Sequence, residues 1–237
     1  MTSVFVADTP DAAAEAATDR LTAAIAKARE AHGAAHIALA GGTTPRKTYE
    51  LLAGRIDDWT GVEVWFGDER AVGPDDPESN FRMASETLLA SGHGPEVHRI
   101  EGERGAEEAA AAYAAELERR LPAEDGVPVL DLALQGLGPD GHTASLFPGN
   151  PAVEATGTCV AVHDAPKPPP DRITLTVPVL RAARSIVFLA TGAEKADAVR
   201  SLLADPDPRI PSSLLGGDRT EVIVDRDAAP NADRLSD

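Results

Sequence analysis

The chain has 237 residues, 43% hydrophobic and 26% charged, which is globular composition sufficient for one large domain. A net charge of −17 argues against a general nucleic-acid binder, and the lone cysteine, Cys159, excludes an intramolecular disulfide. No apolar run approaches the ~20 residues of a membrane span. Met1-Thr2-Ser3-Val4-Phe5 lacks the basic and apolar regions of a signal peptide, so a cytoplasmic protein is expected. The acid excess repels anions at long range, so an anion site here needs its own cluster of Lys and Arg.

In chain order, residues 3–7 read as a strand. Thr9-Pro10 then opens a helix, with a capping hydroxyl before proline at the first helical position. Ala14, Ala17, Leu21, Ile25 and Ala28 follow at helical spacing. A buried strand over 36–40 leads to a helix over 45–52, and a strand over 62–66 to a helix over 79–90. The next helix, 105–121, places Tyr113, Leu117 and Leu121 on one face. Strands are expected over 130–135, 158–163, 172–177, 185–190 and 221–225, with a helix over 193–203. This alternation predicts an α/β fold: one domain over 1–237, a mostly parallel sheet with helices on both faces, and a Rossmann-like three-layer architecture. Residues 166–170 form a stiff proline-rich loop, and the tail from Asp227 is expected to be loosely held.

Four segments carry chemistry. Gly41-Gly42-Thr43-Thr44-Pro45 follows a strand and opens a helix. Its free N–H groups and the positive helix end attract a phosphate, and the threonines add donors. The same residues would also serve as a tight turn and cap. Phe66-Gly67-Asp68-Glu69-Arg70 follows the next strand, where acidic residues face the ligand crevice of an open α/β sheet. Asp68 suits proton handling or a sugar hydroxyl; a helix cap or a local salt bridge is the competing reading. Beyond it, Arg82 either forks onto a phosphate or sits on a helix face. Asp75, Asp76 and Glu78 read as solvated acids rather than metal ligands.

The third segment, Gly136-Leu137-Gly138-Pro139-Asp140-Gly141-His142, formally matches a dinucleotide fingerprint, with Asp164 as the distant acid. Pro148, Gly149, Pro151 and Gly157 break the long helix that fingerprint requires, and Asp140 and His142 occupy positions that should be small. Asp140 and His142 read instead as a working pair, the carboxylate fixing the imidazole tautomer. The fourth is the run 167–172, followed by Lys195 at the start of a helix, where it either closes over a phosphate or meets solvent. Cys159 reads as a small buried apolar residue. His32, His36, His93, His98 and His163 form no ligand pattern along the chain.

Together, Ala40-Gly41-Gly42-Thr43-Thr44-Pro45, Gly67-Asp68-Glu69-Arg70 with Ser79-Asn80, the stretch from Gly136 through Asp140-Gly141-His142-Thr143-Ala144-Ser145-Leu146-Phe147-Pro148, and Arg172-Ile173-Thr174-Leu175-Thr176 resemble the 6-phosphogluconolactonase family. That family shares its fold with the glucosamine-6-phosphate deaminases. The resemblance implies hydrolysis of 6-phospho-D-glucono-1,5-lactone in the oxidative pentose phosphate pathway, without metal or cofactor. His142 would carry the proton, with Asp140 or Asp68 supporting it. Gly41, Gly42, Thr43, Thr44, Arg82, Arg172 and Lys195 would hold the phosphate. The implied partner is a small sugar-phosphate lactone, with no nucleic acid or membrane, in a monomer or weak homodimer. Gln135 stands where an aliphatic residue is expected.

Two rivals share the fold. The deaminases carry an acid five residues after the equivalent of His142, where this chain has Phe147, which favours the lactonase. A non-catalytic sugar-phosphate sensor would normally add a DNA-binding segment, for which the chain, starting at its first strand, leaves no room. Gly-x-Ser-x-Gly is absent, which argues against an α/β-hydrolase.

Overall fold

The computed structural model describes residues 1–90 and 94–230. In chain order these form β1 (Ser3–Ala7), α1 (Pro10–His32), β2 (Ala35–Leu39), α2 (Arg46–Arg55), β3 (Val62–Phe66), β4 (Asp68–Arg70), α3 (Asn80–Thr87), β5 (Glu96–Val97) and α4 (Ala106–Arg120). Then come β6 (Ala123–Glu124), β7 (Val127–Pro128), β8 (Leu132–Gly136), β9 (Cys159–Val162), β10 (Arg172–Leu175), α5 (Val177–Ala182), β11 (Ile186–Ala190), α6 (Ala196–Leu202) and β12 (Thr220–Asp225).

Seven strands form the central sheet in the order β1-β12-β11-β8-β2-β3-β5, and every pairing is parallel. All five residues of β2 and of β11 are buried. Successive side chains in a strand point to opposite faces, so both faces of the sheet must be covered. Ala13, Ala17, Leu21, Ile25 and Ala28 form the buried stripe of α1. Its boundaries follow from local chemistry. Thr9 Oγ1 accepts from the Ala12 N–H at 3.1 Å, and Gly33 closes the other end in the left-handed region at φ 81°.

The sheet order places the crevice. From β2 the chain runs to its neighbour β3, and from β8 it runs the opposite way to β11. The adjacent pair β2–β8 is therefore a topological switch point, and ligands of open α/β sheets bind beyond the carboxyl ends there.

The expected strands over 158–163 and 172–177 do not join this sheet. As β9 and β10 they pair antiparallel with each other and with β4, in a second sheet ordered β4-β10-β9. Gly67 links the two sheets: its N–H donates to Leu39 O at 2.9 Å, and its carbonyl accepts from the Leu175 N–H at 2.9 Å. The register pairs Arg172 with Arg70 and Thr174 with Asp68, so this small sheet carries both site segments to the mouth of the large one.

With few aromatic residues, the fully buried ones have defined tasks. Tyr49 Oη donates to Ala40 O at 2.7 Å and accepts from the Ala40 N–H at 2.9 Å, fixing the exit from β2. Tyr113 Oη accepts from the Phe66 N–H at 2.7 Å at the exit from β3. Cys159 is buried in β9, and burial pushes its thiol pKa up. Ala228 is buried and its N–H donates to Asp225 Oδ1 at 2.9 Å; residues 231–237 of the tail, and His93, lie outside the described residues. No helix among the described residues is long and apolar enough to cross a membrane.

Candidate active site

A crevice of about 290 Å³ opens beyond the carboxyl ends of β2, β3 and β8. Its walls combine the loop Gly41–Thr44, Asp68 and Arg70 from β4, Gly136–Pro139 with His142, and Lys167, Arg172 and Lys195. In a chain of net charge −17, four cations (Arg70, Lys167, Arg172, Lys195) line this space against one carboxylate, Asp68. Local positive potential is thereby gathered against the protein's overall field.

The loop after β2 leads to α2, whose capping residue is Pro45 and whose amino end has no side-chain cap bond. The Arg46 N–H donates to Thr43 O at 3.3 Å, which leaves the N–H groups of Lys47 and Thr48 in the first turn to face an anion. Thr43 is exposed and Thr44 half-buried. Gly41 is required sterically, since a Cβ there would lie 2.0 Å from Asn80 Oδ1. That asparagine is itself a brace: Asn80 Nδ2 donates to Asp68 O at 2.9 Å and to Asp68 Oδ1 at 3.2 Å. Ser145 Oγ donates to Asp68 Oδ2 at 2.7 Å. Asp68 is thus buried, with both carboxylate oxygens occupied. Glu69 braces the amino end of α3, whose capping residue is Ser79. It accepts from Ser79 Oγ and from the N–H groups of Arg70, Asn80 and Phe81, seating α3.

The loop after β8 carries His142 and Asp140. His142 Nδ1 lies 2.5 Å from Asp140 Oδ1, which also accepts from the His142 N–H at 3.2 Å. Asp140, rather than Asp68, is the carboxylate bonded to the ring. This bond assigns the proton to Nδ1 and leaves Nε2 as the free base, with no hydrogen-bond partner among the described residues. Gly138 makes the pairing possible: a Cβ there would lie 2.0 Å from His142 Nδ1 and 2.6 Å from Asp140 Oδ1.

Burial lowers the His142 pKa, and the charge of Lys167 lowers it further, against the opposing pull of Asp140 and Asp68. For Asp140, which is more exposed, burial is outweighed by His142, and its pKa falls. The result at neutral pH is a neutral imidazole beside an ionised carboxylate.

Two contacts hold the loop. Gln135 Oε1 accepts from Thr143 Oγ1 at 2.8 Å while its Nε2 donates to Leu134 O at 2.9 Å. The polar residue at this position, unexpected in a buried strand, is therefore fully used. The buried Phe147 ring backs His142 at 4.7 Å between centroids and lies 5.5 Å below the Arg172 guanidinium carbon.

Arg172 is held by its own loop, donating to Pro169 O and Lys167 O at 3.1 Å each. Lys195 closes a short 3₁₀ turn before α6, and its Nζ donates to Leu137 O at 2.8 Å, tying it to the His142 loop. Arg82 is the exception. Its side chain is exposed on α3, where Nε donates to Glu86 Oε1 at 2.8 Å and Nη1 to Asp75 O at 2.9 Å, outside the crevice walls. As residue N3 of α3 (Ser79 being the cap) it points along that helix, and Arg70 from β4 occupies the wall instead. Asp76 caps its own turn by accepting from the Glu78 N–H at 2.8 Å.

Residues 8–224 match the family described as glucosamine-6-phosphate isomerases/6-phosphogluconolactonase. The chain belongs to this family. The 6-phosphogluconolactonase of Streptomyces coelicolor is 42% identical over 205 residues, 81% of this chain and 78% of its own length. That of Mycobacterium tuberculosis is 39% identical over 239 residues, 96% and 97% of the two chains. The structure of 6-phosphogluconolactonase from Trypanosoma brucei superposes with a TM-score of 0.86 at 30% identity, covering 96% of this chain and 97% of that one. A monomeric glucosamine-6-phosphate deaminase, 23% identical with a TM-score of 0.78, shares the fold.

Several residues in this family member's site had no distinct sequence signal. Ser145 meets Asp68 across 77 positions, and Arg70 enters the wall through an antiparallel strand of three residues. For Gln135 a signal existed: a long polar side chain inside an apolar strand must find partners nearby. Gly138 was visible as a glycine, but the reason for it, the ring above it, was not.

Proposed function

We propose that this protein hydrolyses 6-phospho-D-glucono-1,5-lactone to 6-phospho-D-gluconate. The observation that carries this reading is the convergence, in one crevice, of four cations and an unbonded imidazole nitrogen beside an uncapped helix end. A phosphorylated lactone presents an anion at one end and an ester carbonyl at the other. Its phosphate would sit over Gly41, Gly42, Thr43, Thr44 and the first turn of α2, facing Arg172 and Lys195.

Water attacks the lactone carbonyl while His142 Nε2 removes a proton from it. The tetrahedral intermediate then expels the ring oxygen, and the imidazolium returns the proton to that oxygen. Water is consumed and the product is an open-chain hydroxy acid. Asp140 holds the ring and stabilises the imidazolium in passing. Lys167, close enough for its charge to act on His142, would oppose the developing oxyanion charge. Asp68, with both oxygens bonded, fits the binding of a sugar hydroxyl better than proton transfer. The names of the relatives support the substrate class, and Phe147 behind His142 supports the lactonase over the deaminase, because it puts an apolar ring where that chemistry calls for an acid.

The test is a pH-stat assay on freshly prepared lactone, corrected for spontaneous ring opening, since turnover releases a proton. Catalysed acid release is expected. Ammonia release from glucosamine 6-phosphate without lactone turnover would overturn the reading.

A further inference from the structure

The segment between α6 and β12 touches the loop that carries His142 without lining the crevice. Its tip is a tight turn, Asp207-Pro208-Arg209-Ile210. The Ile210 N–H donates to Asp207 O at 2.8 Å, and Asp207 Oδ1 accepts from the Arg209 N–H at 2.9 Å. The buried Ser213 locks this turn: its Oγ accepts from the Asp207 N–H at 2.8 Å and donates to Ile210 O at 2.7 Å.

Two contacts join the turn to the loop. The buried Ser212 donates its N–H to Gly141 O at 3.0 Å. Gly141 stands in the left-handed region at φ 83°, and a Cβ there would lie 2.9 Å from Ile210 Cγ2. Ile210 therefore fills the space that a side chain at Gly141 would need. Both contacts bear on the peptide plane that enters His142. The N–H of that plane donates to Asp140 Oδ1 at 3.2 Å, and the His142 carbonyl accepts from the Gly138 N–H at 2.8 Å. These two bonds are internal to the loop, so they fix its shape and not its place. Gln135 anchors Thr143 on the exit side of His142. On the entry side the anchor is Ser212, with Ile210 packed beside Gly141.

We propose that Ile210 and Ser212 are positioning residues that set where the His142 imidazole stands over the crevice. The inference rests on the reading of His142 as the proton carrier. An imidazole displaced by about 1 Å loses its alignment with the attacking water, which costs turnover while the phosphate contacts stay intact.

Ile210→Ala should lower kcat about tenfold with KM within about twofold, and Ile210→Val, which keeps Cγ2, should restore most of the loss. Gly141→Ala should cost about 10² in kcat, because its Cβ meets Ile210 Cγ2. In the double variant that atom is gone. Ile210→Ala, harmful in the wild type, should therefore raise kcat about threefold or more in the Gly141→Ala background. A residue that merely stabilises the fold would lower Tm in both backgrounds and show no such change of sign. The Cε1–Hε1 NMR resonance of His142, identified by its loss in His142→Ala, reads the placement without substrate. The Phe147 ring, 4.7 Å away, makes it sensitive to displacement. It should move in Ile210→Ala, while the resonances of His36 and His98 at the amino end of the sheet stay. Loss of kcat without the change of sign, or an unmoved His142 resonance, overturns the proposal. Absence of lactone turnover in the wild type would overturn the hydrolase reading instead, and the resonance would still decide the placement.

Discussion

The two ends of the central sheet use the same residue types to opposite effect. At the carboxyl end His142 bonds a carboxylate through one nitrogen and keeps the other free, above a crevice lined by glycine and cations. At the amino end both ring nitrogens of His98 meet carboxylates, and the ring is stacked on Trp65. An imidazole acquires catalytic capacity from the bond it does not make; one with both nitrogens engaged is a structural tie. His36 stands between these cases, buried like His98 but with a free nitrogen like His142.

Substitutions can break this contrast. The largest effect is expected from His142→Ala, which should lower kcat by about 10²–10⁴ with little change in KM or Tm. An unchanged kcat removes the residue from its role. Gly138→Ala places a Cβ against the His142 ring and should cost about 10² in kcat by displacing it, with the fold retained by circular dichroism. Wild-type turnover in that variant would show that the dyad geometry is not limiting. Lys195→Ala should act on binding, raising KM about ten- to hundredfold through loss of a charged contact; an unmoved KM would remove Lys195 from the phosphate site.

The pH profile sharpens the comparison further. Burial holds the His142 pKa below the ordinary 6.5, so kcat/KM should fall only as pH drops through that lowered value, when the base becomes protonated. Asp140→Asn removes the charge that favours the imidazolium and should move this limb to still lower pH. A limb that moved upward would contradict the sign. The smallest effect belongs to Arg82→Ala, expected to leave kcat and KM within about twofold and to cost about 0.5 kcal/mol of stability or less, because its partners are exposed.

Much of this was legible along the chain because it is governed by local chemistry. The Thr9-Pro10 start, the apolar strands and the alternation of periodicities fixed the α/β class and the parallel sheet. Gly41–Thr44 and Asp140–His142 were legible because strand-end glycines, a helix start and a carboxylate two residues from an imidazole are short-range patterns. Arg82 was misplaced for the same reason: its proximity in sequence to Asp68 suggested proximity to the ligand, but a helix turns successive side chains about 100° apart. Asp68 against Ser145, the passage of β4, β9 and β10 into a second sheet, and the alignment of His36, Glu63 and Glu96 across three strands depend on strand order and register. The sequence determined which elements exist and which groups could react, because propensity and periodicity act over a few residues. Only the tertiary structure decided which of those groups meet and which keep a free lone pair, because contacts between distant segments are selected by the packing of the whole sheet.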